Sequence, residues 1–447
     1  MDKITLEMIR LLKKRQEISK EIGEVKKNLG KGVTDESRES FLRKKILKLC
    51  EEIELDKKTG SKLLNFLLNE SVIEQSKSKQ THLSIFLKAK KLESQGKKII
   101  HMEVGEPDFS PPVKAENALS KAYQKGFRKY SNSKGITEFR NRIAEKIQND
   151  FGVKTSFENI LISPGARFSV YSAVMTLLKP GDEMIVIEPA WPAYIGCALT
   201  AGVKVRTIHT TLEEDWNPSL ETIENTVNAN TKMIVLNYPN NPTGKILPRR
   251  IFDGVIDIAA KNNLYVLSDE IYSNYAYRDW RSALAYEYEN TIITQSFSKS
   301  HAMTGFRIGY AVAAKQILDK MTKLSALCLT SVAEPIQYVA MHAIDADISN
   351  NSQIMKHRLD LLSKRGRDMG LKFMNPNGAM YLFATVDQDD FDGTKFANTC
   401  LENGLAVAPG EGFGSYNEFF RLSACQDEKT LIEGMSKLNH ILREDNG

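Results

Sequence analysis

Residues 232–244 read K-M-I-V-L-N-Y-P-N-N-P-T-G. Four apolar residues in a row suit a strand covered on both faces. The run then stops at a loop stiffened by two prolines, which presents Asn241. The same pattern recurs on either side. L-Y-V-L-S-D-E-I-Y (264–272) ends its apolar run on Asp269 and Tyr272, and T-I-I-T-Q-S-F-S-K (291–299) ends on Ser296, Ser298 and Lys299. Upstream, I-L-I-S (160–163) runs into Pro164-Gly165-Ala166-Arg167, E-M-I-V-I-E (183–188) into P-A-W-P-A-Y, and V-K-V-R-T-I spans 203–208. Amphipathic helical segments separate these runs. Strands spaced this way predict a largely parallel α/β sheet with helical crossovers.

The composition narrows the class. A chain of 447 residues, 42% hydrophobic and 26% charged, can bury a large core and suggests two or three domains. No apolar stretch follows a basic start and no run of eighteen apolar residues occurs, so neither export nor a membrane span is expected. The five cysteines form no C-x-x-C pair and read as reduced thiols of a cytoplasmic protein. The seven histidines lack ligand spacing, so no metal is expected. A net charge of +5 does not by itself suggest nucleic acid.

Ligand sites in such sheets lie beyond the carboxyl ends of the strands. Lys299, Asp269, Asn241, Tyr272 and a helix opening at Ala166 and Arg167 all fall there. The free N–H groups of a helix start suit a phosphate. An amine that can form a Schiff base, a carboxylate for a pyridine nitrogen, donors for a ring oxygen and a phosphate cradle are together the demands of pyridoxal 5'-phosphate. Read singly, each residue has an ordinary alternative: Asp269 a helix N-cap, Trp191 a core residue, Lys299 a solvated lysine, and Tyr130 and Ser298 surface residues.

Over about residues 83–447 the chain resembles the class I aminotransferases of the fold-type-I family. The resemblance rests on G-E-P-D-F (105–109), N-x-x-N-N-P-T-G, S-D-E-I-Y, S-x-S-K with R-x-G, and F-R-L-S (420–423). It implies a mostly parallel seven-stranded sheet between helical layers. A large domain would cover about 120–330, and a small domain would be drawn from 83–119 and 331–447. By resemblance Lys299 would be the Schiff-base lysine and proton shuttle. Asp269 would pair with the pyridine nitrogen, Tyr272 and Asn241 with the ring oxygen, and Trp191 would stack on the ring. Ser296, Ser298, Arg307 and the backbone of Ala166 and Arg167 would take the phosphate, with Tyr130 reaching over from the second subunit of a homodimer. Arg421, helped by Asn241 and the Gly105 backbone, would grip the substrate α-carboxylate. Arg167 would meet a distal carboxylate of a dicarboxylic substrate; its alternative is to serve the phosphate alone or to point to solvent.

The first 75 residues have a different texture. Glycine is confined to Gly23, Gly30, Gly32 and Gly60, and Ile4, Met8, Leu11, Leu12, Ile18, Ile22, Val25 and Leu29 recur at helical spacing. Three helices are expected: one before the glycine break, one from an N-cap at Thr34 to about Leu55, and one over roughly Lys58–Gln75. A polar linker over 76–82 follows. Arg15 and Lys26 are three turns apart on one face. The motifs E-I-G-x-x-K, D-x-x-R-E and E-S-V-x-x-Q resemble those of the all-helical chorismate mutases. By that resemblance Arg15 would take a carboxylate, Lys26 and Gln75 the ether oxygen, and Glu39 the ring hydroxyl. Asp35, Arg38 and Ser71 would complete the pocket. The family also draws an arginine from the partner subunit. Counted back from Arg15, that position precedes Met1, which leaves a late chain start, a substitute such as Lys3 or Arg10, or weak activity.

The expected function is a bifunctional homodimer. It would transaminate between a dicarboxylic amino acid and a keto acid of aromatic amino-acid synthesis, and rearrange chorismate to prephenate. Two alternatives stay open: an aspartate aminotransferase with a non-catalytic helical head, and a transcription regulator with a DNA-binding head. For the latter, 17 Lys+Arg against 14 Asp+Glu in residues 1–75 allow weak DNA contact.

Overall fold

The computed structural model describes residues 2–28, 36–76 and 80–445. Thr34, the expected N-cap, and Asp35 lie outside the described residues. Three helices open the chain: α1 (Asp2–Asn28), α2 (Glu36–Glu52) and α3 (Lys57–Ser76). Helix α3 packs along both others. Much of the apolar stripe of α1, including Ile4, Met8, Leu11 and Ile18, remains exposed. Helix α4 (His82–Ser94) begins at a capping box in which Thr81 and Ser84 satisfy each other's backbone N–H groups.

The strands follow as β1 (Ile100–His101), β2 (Ile160–Ser163), β3 (Glu183–Glu188), β4 (Lys204–His209), β5 (Thr231–Leu236), β6 (Tyr265–Asp269), β7 (Thr291–Ser296), β8 (Gly309–Ala313), β9 (Tyr381–Ala384), β10 (Leu405–Ala406), β11 (Ala408–Pro409) and β12 (Phe420–Ser423). Seven make the main sheet, in the order β2-β8-β7-β6-β5-β3-β4, with β8 antiparallel to both neighbours and the rest parallel. Continuous apolar runs arise because both faces are covered. Side chains alternate across a strand, so Ile234, Leu236, Val266 and Ile293 enter one core while Met233, Val235, Leu267 and Ile292 enter the other. A third core gathers β9, β12, α4 and the C-terminal helices.

Six strands stand where the apolar runs predict them, two with the same ends and the others shifted by a residue. Val203 is left out of β4 because its N–H closes the preceding helix on Ala198 O (2.9 Å). Asn237 leaves β5 because its side chain turns to bond the site loops. Register then sets the site. Ser163 and Ser296 both pair with Gly309, so the ends of β2 and β7 and the start of β8 meet at one corner. Among the described residues no helix is long and apolar enough to cross a membrane.

Candidate active site

Beyond those strand ends lies a cavity of about 570 Å³. Its lining includes Lys299, Asp269, Tyr272, Asn241, Ser296, Ser298, Arg307, Ala166, Arg167, Trp191, Gly105 and Arg421. Every residue expected of the cofactor and amino-acid site except Tyr130 is thus in one place. Tyr130 stands on a loop and is 85% exposed.

The loop after β5 is braced by its own amides. Asn237 donates to Asp269 O (2.9 Å) and accepts from Asn241 N (3.0 Å), while Asn240 accepts from the N–H and hydroxyl of Thr243 (3.0 and 2.7 Å). Asn241 is thereby held against Arg421, whose Nη1 donates to Asn241 Oδ1 at 2.7 Å. Arg421 is 2% exposed; its other terminal nitrogen donates to the Glu103 carbonyl, and Nε has no hydrogen-bond partner among the described residues. Its guanidinium sits between the rings of Tyr381 (4.2 Å) and Phe413 (4.8 Å). Aromatic faces stabilise a desolvated cation, so the fork is fixed before any carboxylate meets it.

At the floor Asp269 is fully enclosed and accepts from Tyr194 Oη at 2.7 Å. Burial raises its pKa, and the Tyr194 hydrogen bond partly offsets this. Tyr272 Oη lies 2.8 Å from Tyr381 Oη, and burial pushes the Tyr272 phenol far up, so it stays protonated. Lys299 donates to the Gly105 carbonyl. Its ammonium is lowered chiefly by burial, with Arg421 and Arg307 adding repulsion against the opposing pull of Cys425 and Glu106. Such a lysine reaches its neutral, nucleophilic form more easily than an exposed one.

The helix Ala166–Leu177 starts at Gly165, and a helix start leaves the N–H groups of Ala166 and Arg167 without an acceptor in the preceding turn. Arg307 is held by its bond to Thr304 O (2.8 Å). Ser296 and Ser298 bond each other (2.8 Å). The corner tolerates no side chain: a Cβ on Gly165 (φ +85°) would sit 2.7 Å from Arg307 Nη2, and one on Gly309 would sit 3.0 Å from Ala166 N. Bare backbone, two hydroxyls and a guanidinium around a helix N-terminus fit a phosphate. The buried carboxylate, phenol and amine beside them fit the rest of pyridoxal phosphate.

Three site residues escaped the sequence reading. Tyr194 lies in the first turn of the helix Ala193–Thr200, three positions after Trp191, which stands just ahead of that helix. Tyr381 comes from β9 and backs Gly105 so closely that a Cβ there would collide with its hydroxyl. His82 stacks on Phe413 (6.2 Å) at the cavity wall, with its Nδ1 unpartnered. Burial, together with Arg421, Arg167 and Lys299, pushes its imidazole down to about 3, so it is neutral.

The family model for aminotransferase class I and II matches residues 97–438. The chain belongs to this pyridoxal-phosphate-dependent transaminase family. Among curated relatives, an aspartate aminotransferase of Thermotoga maritima is 34% identical over 79% of this chain and 94% of its own. An aspartate/prephenate aminotransferase of Thermus thermophilus is 30% identical over 80% and 95%. A solved Thermus thermophilus aspartate aminotransferase with maleate superposes with a TM-score of 0.78 at 29% identity, covering 81% and 97%. Residues 1–76 match the model for chorismate mutase type II. The N-terminal match falls on the mutase reading of this transaminase's head rather than on the regulator reading.

The mutase set is spread over the three helices. Arg15 and Lys26 are half-buried on α1, and Arg15 Nε has no hydrogen-bond partner among the described residues. Ser71 on α3 accepts from Ser19 (3.1 Å) and donates to Leu67 O (2.9 Å). Gln75 lies in the last turns of α3. Arg38 is exposed on α2, 5.3 Å from the Phe41 ring centroid. Glu39 faces the transaminase body and lines a second cavity of about 570 Å³.

Proposed function

We propose that the chain is a bifunctional enzyme: a chorismate mutase head over about 1–75 joined through 76–82 to an aminotransferase over 83–447. The transaminase would use a dicarboxylic amino acid as donor and the mutase product, prephenate, as acceptor. The observation that carries this is the arrangement of the two cavities. Thr81 and Ala190 line the one beside the mutase helices, while their chain neighbours His82 and Trp191 line the transaminase cavity, and His82 stacks on Phe413 of the first. A thin wall between the two cavities supports reading them as a pair of sites that work on related compounds.

Pyridoxal phosphate, when bound, supplies an aldehyde and an electron-withdrawing pyridine ring. Arg307, Ser296, Ser298 and the N–H groups of Ala166 and Arg167 would hold its phosphate. Asp269 would hold its ring nitrogen, Tyr272 and Asn241 its phenolic oxygen, and Trp191 one ring face. Arg421 binds and orients the substrate α-carboxylate, with the Gly105 backbone alongside. Lys299, its ammonium form disfavoured by burial, takes the proton from the substrate α-carbon and returns it. Arg167, stacked over Trp191 at 4.9 Å, is at the right wall to meet a distal carboxylate, and this favours a dicarboxylic substrate. The exposed apolar stripe of α1 and the exposed Tyr130 suit a second copy of the chain, as a homodimer. The head would orient chorismate through Arg15, Lys26, Asp35, Arg38, Glu39, Ser71 and Gln75. The test is a panel of amino donors and keto acids that includes prephenate. Turnover of aspartate or glutamate with prephenate supports the reading; turnover with 2-oxoglutarate or oxaloacetate alone would leave a general aspartate aminotransferase.

A further inference from the structure

The second cavity has one wall from each part of the chain. Arg43 and Glu39 of α2 and Leu68 and Val72 of α3 form one side; Lys204 and Arg206 of the edge strand β4 form the other. Side chains two apart on a strand share a face, so β4 presents both cations to the helices. Arg206 is already bound to both oxygens of Glu183 (2.9 and 3.3 Å), and Arg43 donates to Asn65 Oδ1 (2.8 Å). Lys204 instead crosses to the head, its Nζ lying 2.8 Å from Glu39 Oε2, with side-chain exposures of only 20% and 12%.

Glu39 is the carboxylate assigned above to the ring hydroxyl of chorismate and, of the described residues assigned to that ligand, the one that lines this cavity. Leu68 and Val72, one helical turn apart, give that side an apolar flank. An ammonium has three donors, and Glu39 uses one. The volume lies within the range of small-molecule sites. A mostly enclosed ammonium beside a hydroxyl-binding carboxylate and an apolar flank is complementary to a cyclic dicarboxylic acid.

We propose that Lys204 of the transaminase body is a substrate-binding cation of the mutase site, held in place by Glu39 and taking a carboxylate of chorismate. The mutase pocket is then built by both parts of one chain. This rests on the mutase reading of the head, so the test separates the two. In the full-length chain, Lys204→Ala should lower kcat/KM for chorismate about tenfold to a hundredfold, the range for losing a hydrogen bond to a charged group, with most of the loss in KM. Calorimetric affinity for prephenate should fall in parallel, Lys204→Arg should recover most of both, and aspartate transamination should not change. An ion pair that merely docks the head would lower the melting temperature and leave KM and prephenate affinity alone; that result overturns the proposal. So does mutase activity in Lys204→Ala within about threefold of wild type. A wild-type chain that neither rearranges chorismate nor binds prephenate would overturn the mutase reading itself, and Lys204 with it.

Discussion

Asp269→Asn separates catalysis from stability. The residue is 2% exposed at the end of β6, and Tyr194 donates to it at 2.7 Å. The amide keeps the shape and can still accept from Tyr194, so the variant removes charge and little else. In the apo protein that charge is a burden. Burial raises the folded carboxyl pKa above its ordinary value of 3.8. A raised folded pKa means stability that is complete below the unfolded value and is lost as pH rises through the folded one. At neutral pH the apo variant should therefore melt no lower than wild type. Catalysis should respond in the opposite direction. A carboxylate about 4 Å from a pyridinium charge, at an effective dielectric of about 20, is worth about 4 kcal/mol. Losing most of that predicts a fall in kcat of about a hundredfold to a thousandfold. Thermal melts of apo protein and single-turnover rates with aspartate decide the matter. A rate within a few-fold of wild type would reduce Asp269 to a structural residue, and a large drop in apo melting temperature would contradict the account of its burial.

Lys299→Ala should fold normally and lose transamination by orders of magnitude while chorismate rearrangement continues, because the variant lacks the buried amine that moves the α-proton; retained transamination would refute that role. Arg167→Ala should raise KM for aspartate and glutamate at least about tenfold more than for phenylalanine or tyrosine, measured by steady-state kinetics. Equal losses on both classes would assign Arg167 to the phosphate.

Much of this was legible along the chain because each parallel strand is covered on both faces and so spells out an uninterrupted apolar run that stops at the site. What stayed illegible depends on contacts distant in sequence. Strand β8 begins at Gly309, carries a short alternating pattern and was expected only through the family's seven-stranded sheet. Strands β9 to β12 are two to four residues long, too short for a period to emerge. Tyr381 and His82 enter the site from β9 and from the first residue of α4, and nothing local marks a tyrosine that supports Gly105 or a histidine stacked on Phe413. Nothing in V-K-V-R-T-I signals that Lys204 meets Glu39 of α2, a contact between segments far apart in the chain. The mutase residues were legible as a motif, yet their gathering depends on how helices pack, which spacing alone does not determine.

The central claim is that one chain makes prephenate and aminates it. Full-length enzyme loaded with pyridoxal phosphate should be given chorismate and aspartate together, with products followed by mass spectrometry. The account predicts prephenate, then its amino derivative, with oxaloacetate formed in equal amount to the latter. Prephenate that accumulates without being aminated, while the same enzyme transaminates 2-oxoglutarate, would contradict it.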